Sequence, residues 1–342
     1  KNLIINGDMM IDQRNAGASA TSNATIYMTD RFQLQMSSVT NVQTYQQVTD
    51  APAGFNNSLK ITNNSTTQAT AAGVLSTPRQ KIEGLNTAYL NWGTSDAQTV
   101  TISFWVKASV TGTYPVSLIN NDFTRSFVTN YTVSVANTWE KKTATIAGDT
   151  SGTWTVDNST GISVMFSLDT GSTYQTTAGS WQTGNYRGTS SDVHFLANAS
   201  ATWQITGLQL EANTTATPFE HRPYGQQLAL CQRYFEKSYA MATSPGTNTV
   251  TGLCQTLNGT DGNQVAGIRF IVPKRATPTG KFWSKDGTAS SLSTSGYVNA
   301  PNAGSWSNMF DPNEFGFRCI VGTGGLSSGT AYTWHYTAEA EL

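Results

Sequence analysis

The chain has 342 residues, with 20 Lys and Arg against 21 Asp and Glu and a formal charge of −1. Apolar residues at 38% and aromatics at 11% exclude disorder driven by low hydrophobicity and high charge; the near-neutral balance offers no counterion release to a nucleic-acid backbone and no attraction to an anionic bilayer. Ser, Thr, Asn and Gln make up 129 residues, 52 of them Thr, which suits pleated surfaces and polar turns rather than a helical bundle.

Along the chain, period-two alternation predicts half-buried strands separated by Gly, Ser, Thr and Asn turns. The clearest is Thr99 to Ala108, where Val100, Ile102, Phe104 and Val106 point one way and Thr101, Ser103, Trp105 and Lys107 the other. Further strands are expected at Phe127 to Val135, Gly161 to Leu168, Val193 to Leu196 and Thr202 to Leu210. After Pro218 and Pro223 the period changes. Leu228, Cys231, Phe235 and Tyr239 recur at spacings of three and four, predicting an amphipathic helix near 224–239 that ends before or at Pro245 and Gly246. Strand patterns return at Gly267 to Val272, Phe315 to Val321 and Ala331 to Ala340. The expected fold is therefore all-β: a β-sandwich over residues 1–218, a linker and helix over 219–239, and a smaller β domain over 240–342. The helix faces that carry Leu228, Cys231 and Phe235 are expected at a subunit or domain interface.

Catalytic templates find little to attach to. Asp169-Thr170-Gly171 follows an apolar run as a protease carboxylate would, but that chemistry needs two carboxylates sharing a proton, and no second Asp-Thr/Ser-Gly exists. The local reading is a β-turn. His194, His221 and His335 are far apart, there is no Gly-x-Ser-x-Gly elbow, and the Gly-rich run Val321 to Gly329 reads as a hairpin loop. The carboxylates Asp149, Asp157, Asp169, Asp286, Asp311 and Glu314 supply pairs for glycan cleavage only if the fold sets them at the right separation. Cys231, Cys254 and Cys319 are odd in number and widely spaced, which fits neither a disulfide framework nor paired zinc ligands, so no cofactor or metal is expected. No catalytic residue is assigned. What stands out instead is a set of loop aromatics among Asn, Gln and Asp. A sugar stacks its C–H face on such rings while amides take its hydroxyls. Trp181, Tyr186, Trp283, Tyr297 and Trp306 are the candidate ligand contacts.

With those residues in view, the first domain resembles the jelly-roll carbohydrate-binding modules of the galactose-binding-like group. NLIINGDM at Asn2 to Met9 resembles their opening strand and TISFWVKAS at Thr101 to Ser109 their apolar, aromatic central strand. TWEKKTATIAG at Thr138 to Gly148 and WQITGLQLEA at Trp203 to Ala212 resemble the strand that begins with Trp and the closing strand. A second resemblance spans both ends and the helix. LIINGDMMIDQRNAG, TGLQLE at Thr206 to Glu211, ATPFEHRPYGQQLALCQRYFE at Ala216 to Glu236 and the ending YTAEAEL are similar to tail-fibre and related virion fibre proteins of tailed bacteriophages. That resemblance implies a non-enzymatic homotrimer assembled in the host cytoplasm and carried on an extracellular virion. An upstream anchor would precede Lys1 and dock on other virion structural proteins, and a distal domain would touch host-surface polysaccharide or lipopolysaccharide. Neither nucleic-acid binding nor membrane insertion is implied. The alternatives are a structural head fibre, adaptor or decoration protein, and a glycan depolymerase.

Overall fold

The computed structural model describes residues 2–64, 66–257, 264–291, 293–294, 309–321 and 331–342. They form two compact units, Lys1–Ile11 with Gly17–Tyr224 and Leu342, and Asp12–Ala16 with Gly225–Glu341.

The first unit is built from β1 (Ala20–Ser22), β2 (Ile26–Tyr27), β3 (Gln33–Ser37), β4 (Gln43–Val48), β5 (Ser58–Asn63), β6 (Leu75–Glu83) and β7 (Val100–Ala108). It continues with β8 (Gly112–Asn120), β9 (Arg125–Val133), β10 (Glu140–Ile146), β11 (Thr160–Phe166), β12 (Asp169–Thr170), β13 (Trp181–Thr183) and β14 (Thr202–Glu211). One sheet runs β1-β4-β5-β14-β7-β10; the other runs β13-β9-β8-β11-β6-β3-β2, with β12 paired to β6. The chain passes repeatedly between sheets, with β5, β7, β10 and β14 in one and β6, β8, β9 and β11 in the other. That alternation makes the unit a jelly-roll β-sandwich. The inward residues of β7, Val100, Ile102, Phe104 and Val106, are buried in one core with Val116, Leu118, Ile162, Val164, Trp203 and Ile205. In β14 the register shifts between Thr206 and Gln209, and Gly207 takes φ +61° with the Phe55 ring where a Cβ would stand, a bulge that only glycine fits.

Two sequence expectations in this unit are corrected. Asn2–Met9 is not a strand: it touches the closing strand through Leu3 N to Leu210 O (2.8 Å) and Leu208 N to Gly7 O (2.9 Å), with irregular backbone between. A Cβ on Gly7 would sit 2.1 Å from Leu208 O, so the Asn-Gly pair is there for close approach. Val193 to Leu196 is not a strand either. A 3-10 turn, Phe195–Ala197, forms instead, with the Asp169 carboxylate accepting from Leu196 N (2.9 Å).

The second unit opens with α1 (Tyr224–Gln232), followed by β15 (Phe235–Lys237), β16 (Cys254–Leu257), β17 (Gln264–Arg269) and β18 (Thr279–Trp283). It closes with β19 (Ser293–Thr294), β20 (Phe310–Asn313), β21 (Gly316–Val321) and β22 (Ala331–Glu339). Among the described residues β22 pairs with β15, β16, β18 and β19, and β21 lies between β17 and β20. Phe282, Phe317, Trp334 and Tyr336 pack edge to face or tilted in its core. The helix is shorter than its spacing predicts. It stops at Gln232 because Phe235, Glu236 and Lys237 pair with Glu339, Ala338 and Thr337, so strand pairing overrides helical period. Phe235 is therefore a strand residue, and Pro245 with Gly246 lies well beyond the helix end. Among the described residues no helix is long and apolar enough to cross a membrane.

Candidate functional site

In β8, Tyr114, Val116 and Leu118 face the core, as Ile162, Val164 and Phe166 do in β11. Strand alternation therefore turns Pro115, Ser117, Ile119, Ser163 and Met165 to the outer face of the sheet. An uncovered outer face would leave them wet, yet Ser117, Ile119 and Met165 are fully buried. The segment between β12 and the 3-10 turn lies over them. Gly184 N donates to Thr124 O (2.9 Å), Tyr186 N to Ser126 Oγ (3.2 Å) and Val193 N to Thr113 O (2.8 Å), while Asn130 Nδ2 donates to Thr189 Oγ1 (3.3 Å).

The register sets Gln33, Arg79, Met165, Ser117 and Val128 side by side across five strands of this face. Arg79 donates from Nε to Gln33 Oε1 (2.7 Å) and from Nη1 to Gln35 Oε1 (2.6 Å). Arg187, from the covering segment, donates from Nη1 to the same Gln35 oxygen (2.6 Å) and from Nε to Asn185 Oδ1 (3.0 Å). Two guanidinium groups thus meet on one amide oxygen. The Arg187 guanidinium carbon lies 5.2 Å from the centre of the Phe123 ring and 5.5 Å from that of Tyr174. Arg79 is 6% exposed and Arg187 2%, and neither pairs with a carboxylate among the described residues. Burial lowers both pKa values to about 10, and the charge of Arg79 adds to the effect on Arg187. On the same row the Ser117 hydroxyl is enclosed without a hydrogen-bond partner. Around this floor Tyr27, Gln33, Gln35, Tyr174, Asn185 and Tyr186 are half-buried, so polar and aromatic edges remain open to solvent.

The residues singled out from sequence fall in different places. Tyr186 lies beside Arg187 on the covering segment, its ring against Gly184. Trp181 points the other way: it packs on Trp92 (5.3 Å), Trp154 (5.4 Å) and Phe127 (5.4 Å) at the end of the core. The indole N–H groups of Trp92, Trp154 and Trp181 all go to backbone carbonyls, of Gln98, Ser151 and Ala147. A cavity of about 160 Å³ opens beside them, between Asn91, Trp92, Trp154, Val156 and Ile162. That is smaller than the ~300–1,000 Å³ of usual ligand pockets. In the second unit Trp283 ends β18, 6.1 Å from the Tyr239 ring. Tyr297 and Trp306, and most of the Gly-rich run at 321–329, lie outside the described residues. Leu228 is half-buried on α1, and Cys231 and Phe235 are buried within the unit, where Arg14 lies 4.1 Å over the Phe235 ring. Arg79, Arg187, Gln33 and Gln35 went unnoticed in the sequence. The available signal was the alternation of Thr77, Arg79 and Lys81 in LSTPRQKIE, but only strand pairing brings Arg79 to Gln33.

Of the six carboxylates weighed for catalysis, the five aspartates are tied into local structure, and Glu314 holds Lys274 N through its backbone carbonyl (2.7 Å). Asp149 forms a two-point ion pair with Arg125 (2.7 Å at each contact), and Asp169 accepts from Thr70 Oγ1 (2.6 Å) and Leu196 N. Asp169 forms a strand pair on β6 rather than a turn. Asp157 accepts from Ser159 N (2.7 Å), Asp286 from Ser284 Oγ, and Asp311 pairs with Arg318. Among the described residues no group of three or more His, Cys, Asp or Glu side chains is set to hold a metal ion.

No protein-family model and no curated protein matches the sequence. Solved structures with similarity include the enzymatically active domain of tailspike protein 4 of bacteriophage CBA120, at 11% identity and TM-score 0.31 over 62% of this chain. The family 11 carbohydrate-binding module of a Clostridium thermocellum cellulosomal cellulase is similar at 13% identity and TM-score 0.30, over 62% of this chain and 96% of the module. A xylan-binding CBM22-1 domain from Paenibacillus barcinonensis is similar at 10% identity and TM-score 0.27, over 59% of this chain and 99% of that one. The chain spans 21% of the tailspike chain. At these scores the likenesses assign no role to any residue, and the jelly-roll assignment rests on the strand order itself.

Proposed function

We propose that this protein is a tail-fibre type virion protein that attaches a tailed-phage particle to host-surface glycan by binding without turnover, and that the outer face of the β13-to-β2 sheet is its glycan site. The observation that carries the reading is the floor of Arg79 and Arg187, held by side-chain amides and edged by half-buried Tyr174 and Tyr186. Fixed donors beside partly exposed aromatic rings are what a saccharide requires of a binding surface. The virion context is supported by the fibre-like sequences at 3–17 and 216–236, and the homotrimer is part of that proposal, since three weak sites on one particle act multivalently.

The test is attachment. Labelled protein is incubated with intact cells of candidate bacterial hosts and with their purified surface polysaccharide, and its solution mass is measured by light scattering. A species of three times 36.8 kDa that is retained on cells and leaves the polysaccharide at full length is expected. Replacing Tyr174 and Tyr186 together by Ala should weaken retention about tenfold or more, a loss of about 1.4 kcal/mol. Shortening of the polysaccharide would make the protein a depolymerase. One feature favours a second reading, a structural head fibre, adaptor or decoration protein: Ile271 and Phe315 are 73% and 56% exposed. Exposed large apolar side chains suit a neighbouring virion protein, and no retention on any cell would select that role.

A further inference from the structure

Two buried guanidinium groups that share one amide oxygen pose a problem of charge. Each Arg has five N–H donors; Arg187 uses Nε and Nη1 and, among the described residues, nothing accepts from its Nη2. Arg79 spends Nε, Nη1 and Nη2 on Gln33 and Gln35, with one N–H left on each terminal nitrogen. The acceptors are all neutral amides, which orient the forks without neutralising them. The repulsion between the two cations is written into the lowered pKa of Arg187. Buried cations in proteins are ordinarily paired, because an uncompensated buried charge is costly. Buried Lys274, by contrast, meets the Glu236 carboxylate at 2.8 Å.

We infer that the Arg79–Arg187 pair is a receptor for the carboxylate of an acidic saccharide, so that the glycan bound on this face carries uronic-acid or sialic-acid type residues. The inference rests on the reading of the face as a glycan site and narrows it to an anionic class. A planar carboxylate is the natural complement of a guanidinium fork and accepts from two of them at once. Phe123 and Tyr174 flank the Arg187 plane and hold it in place, so the ligand spends little ordering it. The enclosed, unpartnered Ser117 hydroxyl lies two strands from Arg79 on the same row. The rest of the rim is amide and phenol, with no acidic residue among Tyr27, Gln33, Gln35, Tyr174, Asn185 and Tyr186 to repel an anion.

The experiment uses the full chain and three probe pairs: polygalacturonate, alginate and polysialate, each beside the same polymer with its carboxyl groups reduced to alcohols. Binding is measured by titration calorimetry at 50 and 300 mM NaCl. Wild type is expected to bind at least one acidic polymer ten times or more tightly than its reduced form, with affinity that falls as salt rises. Arg187→Gln and Arg79→Gln should each lose at least tenfold on the acidic polymer and so remove its advantage over the reduced one, while Arg187→Lys, which keeps charge but not the fork, should recover part of the loss. Melting temperatures and circular dichroism of the variants separate lost binding from lost folding. If acidic and reduced polymers bind equally, the anionic inference is overturned and the glycan reading stands. If no polymer of either kind binds, both are overturned.

Discussion

Asp169 is 1% exposed and accepts from Thr70 Oγ1 at 2.6 Å, Leu196 N at 2.9 Å and the His194 ring nitrogen Nδ1 at 3.3 Å. Burial pushes its pKa up, and the donors pull it part of the way back. The carboxylate is a clamp: it fixes the segment that carries Phe195 and Leu196 into the core. Asp169→Ala would strand the Leu196 N–H in a dry place, and an unsatisfied buried donor costs about 1–3 kcal/mol. Urea unfolding of Asp169→Ala against Asp169→Asn, which keeps an acceptor, checks this; equal midpoints for the two variants would remove the clamp role. In the sequence Asp-Thr-Gly carried a catalytic look and a turn reading, and neither could show that the partners of Asp169 are Thr70 and Leu196, far away in the chain. The same limit hid Arg79, an ordinary charged residue in a polar strand until pairing places it beside Gln33. Trp181 was visible as an aromatic among polar residues, but whether such a ring faces solvent or closes a core depends on its strand partner, here Phe127.

At the level of elements, alternation was legible wherever one face of a strand meets a core. β7, β11, β14 and β22 lie where the period-two pattern put them, because burial on one side imposes the period on composition. Elements whose form comes from pairing rather than from a buried stripe were not legible. Phe235 continues the spacing of Leu228 and Cys231 as if on a helix, yet β22 offers a free edge and the chain joins it. Once there, Phe235 is 4% exposed beneath Arg14, whose guanidinium also meets Glu341 at 3.1 Å, and Gln13 Nε2 donates to the Phe235 carbonyl at 2.9 Å. Residues 12–16 and β15 are thereby held together inside the second unit. Phe235→Ala should cost about 3–5 kcal/mol, the usual range for emptying a buried aromatic site. Chemical denaturation followed by the amide protection of β22 gives the number, and a loss below 1 kcal/mol would show that Phe235 is not a core residue of this unit.

At the scale of the whole chain the two units carry different acid-sensitive groups, because they bury different ionisable side chains. Cys231 and Cys254 are free thiols, so the described part of the second unit relies on packing and on buried polar groups such as His335. His335 is fully buried, stacked 3.8 Å from the Tyr239 ring, with Nε2 3.2 Å from Thr249 O and Nδ1 3.0 Å from Ser238 Oγ. A carbonyl only accepts, so Nε2 carries the proton and Nδ1 accepts from Ser238. Burial holds the pKa of this ring below the ordinary value near 6.5. Above pH 6.5 folded and unfolded states are both neutral at this site and it contributes no pH dependence. Below 6.5 the unfolded chain takes up a proton that the folded ring refuses, so the second unit loses stability by up to about 1.4 kcal/mol per pH unit until the folded ring also protonates. In the first unit Asp8, Asp169 and Asp192 have pKa values raised by burial. At those three sites the folded state binds protons first and their contribution to stability rises as pH falls from the raised values toward 3.8, while Asp50, Glu140 and Glu220, whose pKa values are lowered, contribute with the opposite sign. Native-state hydrogen exchange, converted to opening free energies at pH 7.0, 6.0 and 5.5, resolves the two. Amides of β22 should lose protection free energy over that interval while those of β7 and β11 do not, and His335→Gln should flatten the β22 response. Parallel behaviour of β22 and β11 in the wild type would show that buried His335 does not set the acid limit of the second unit.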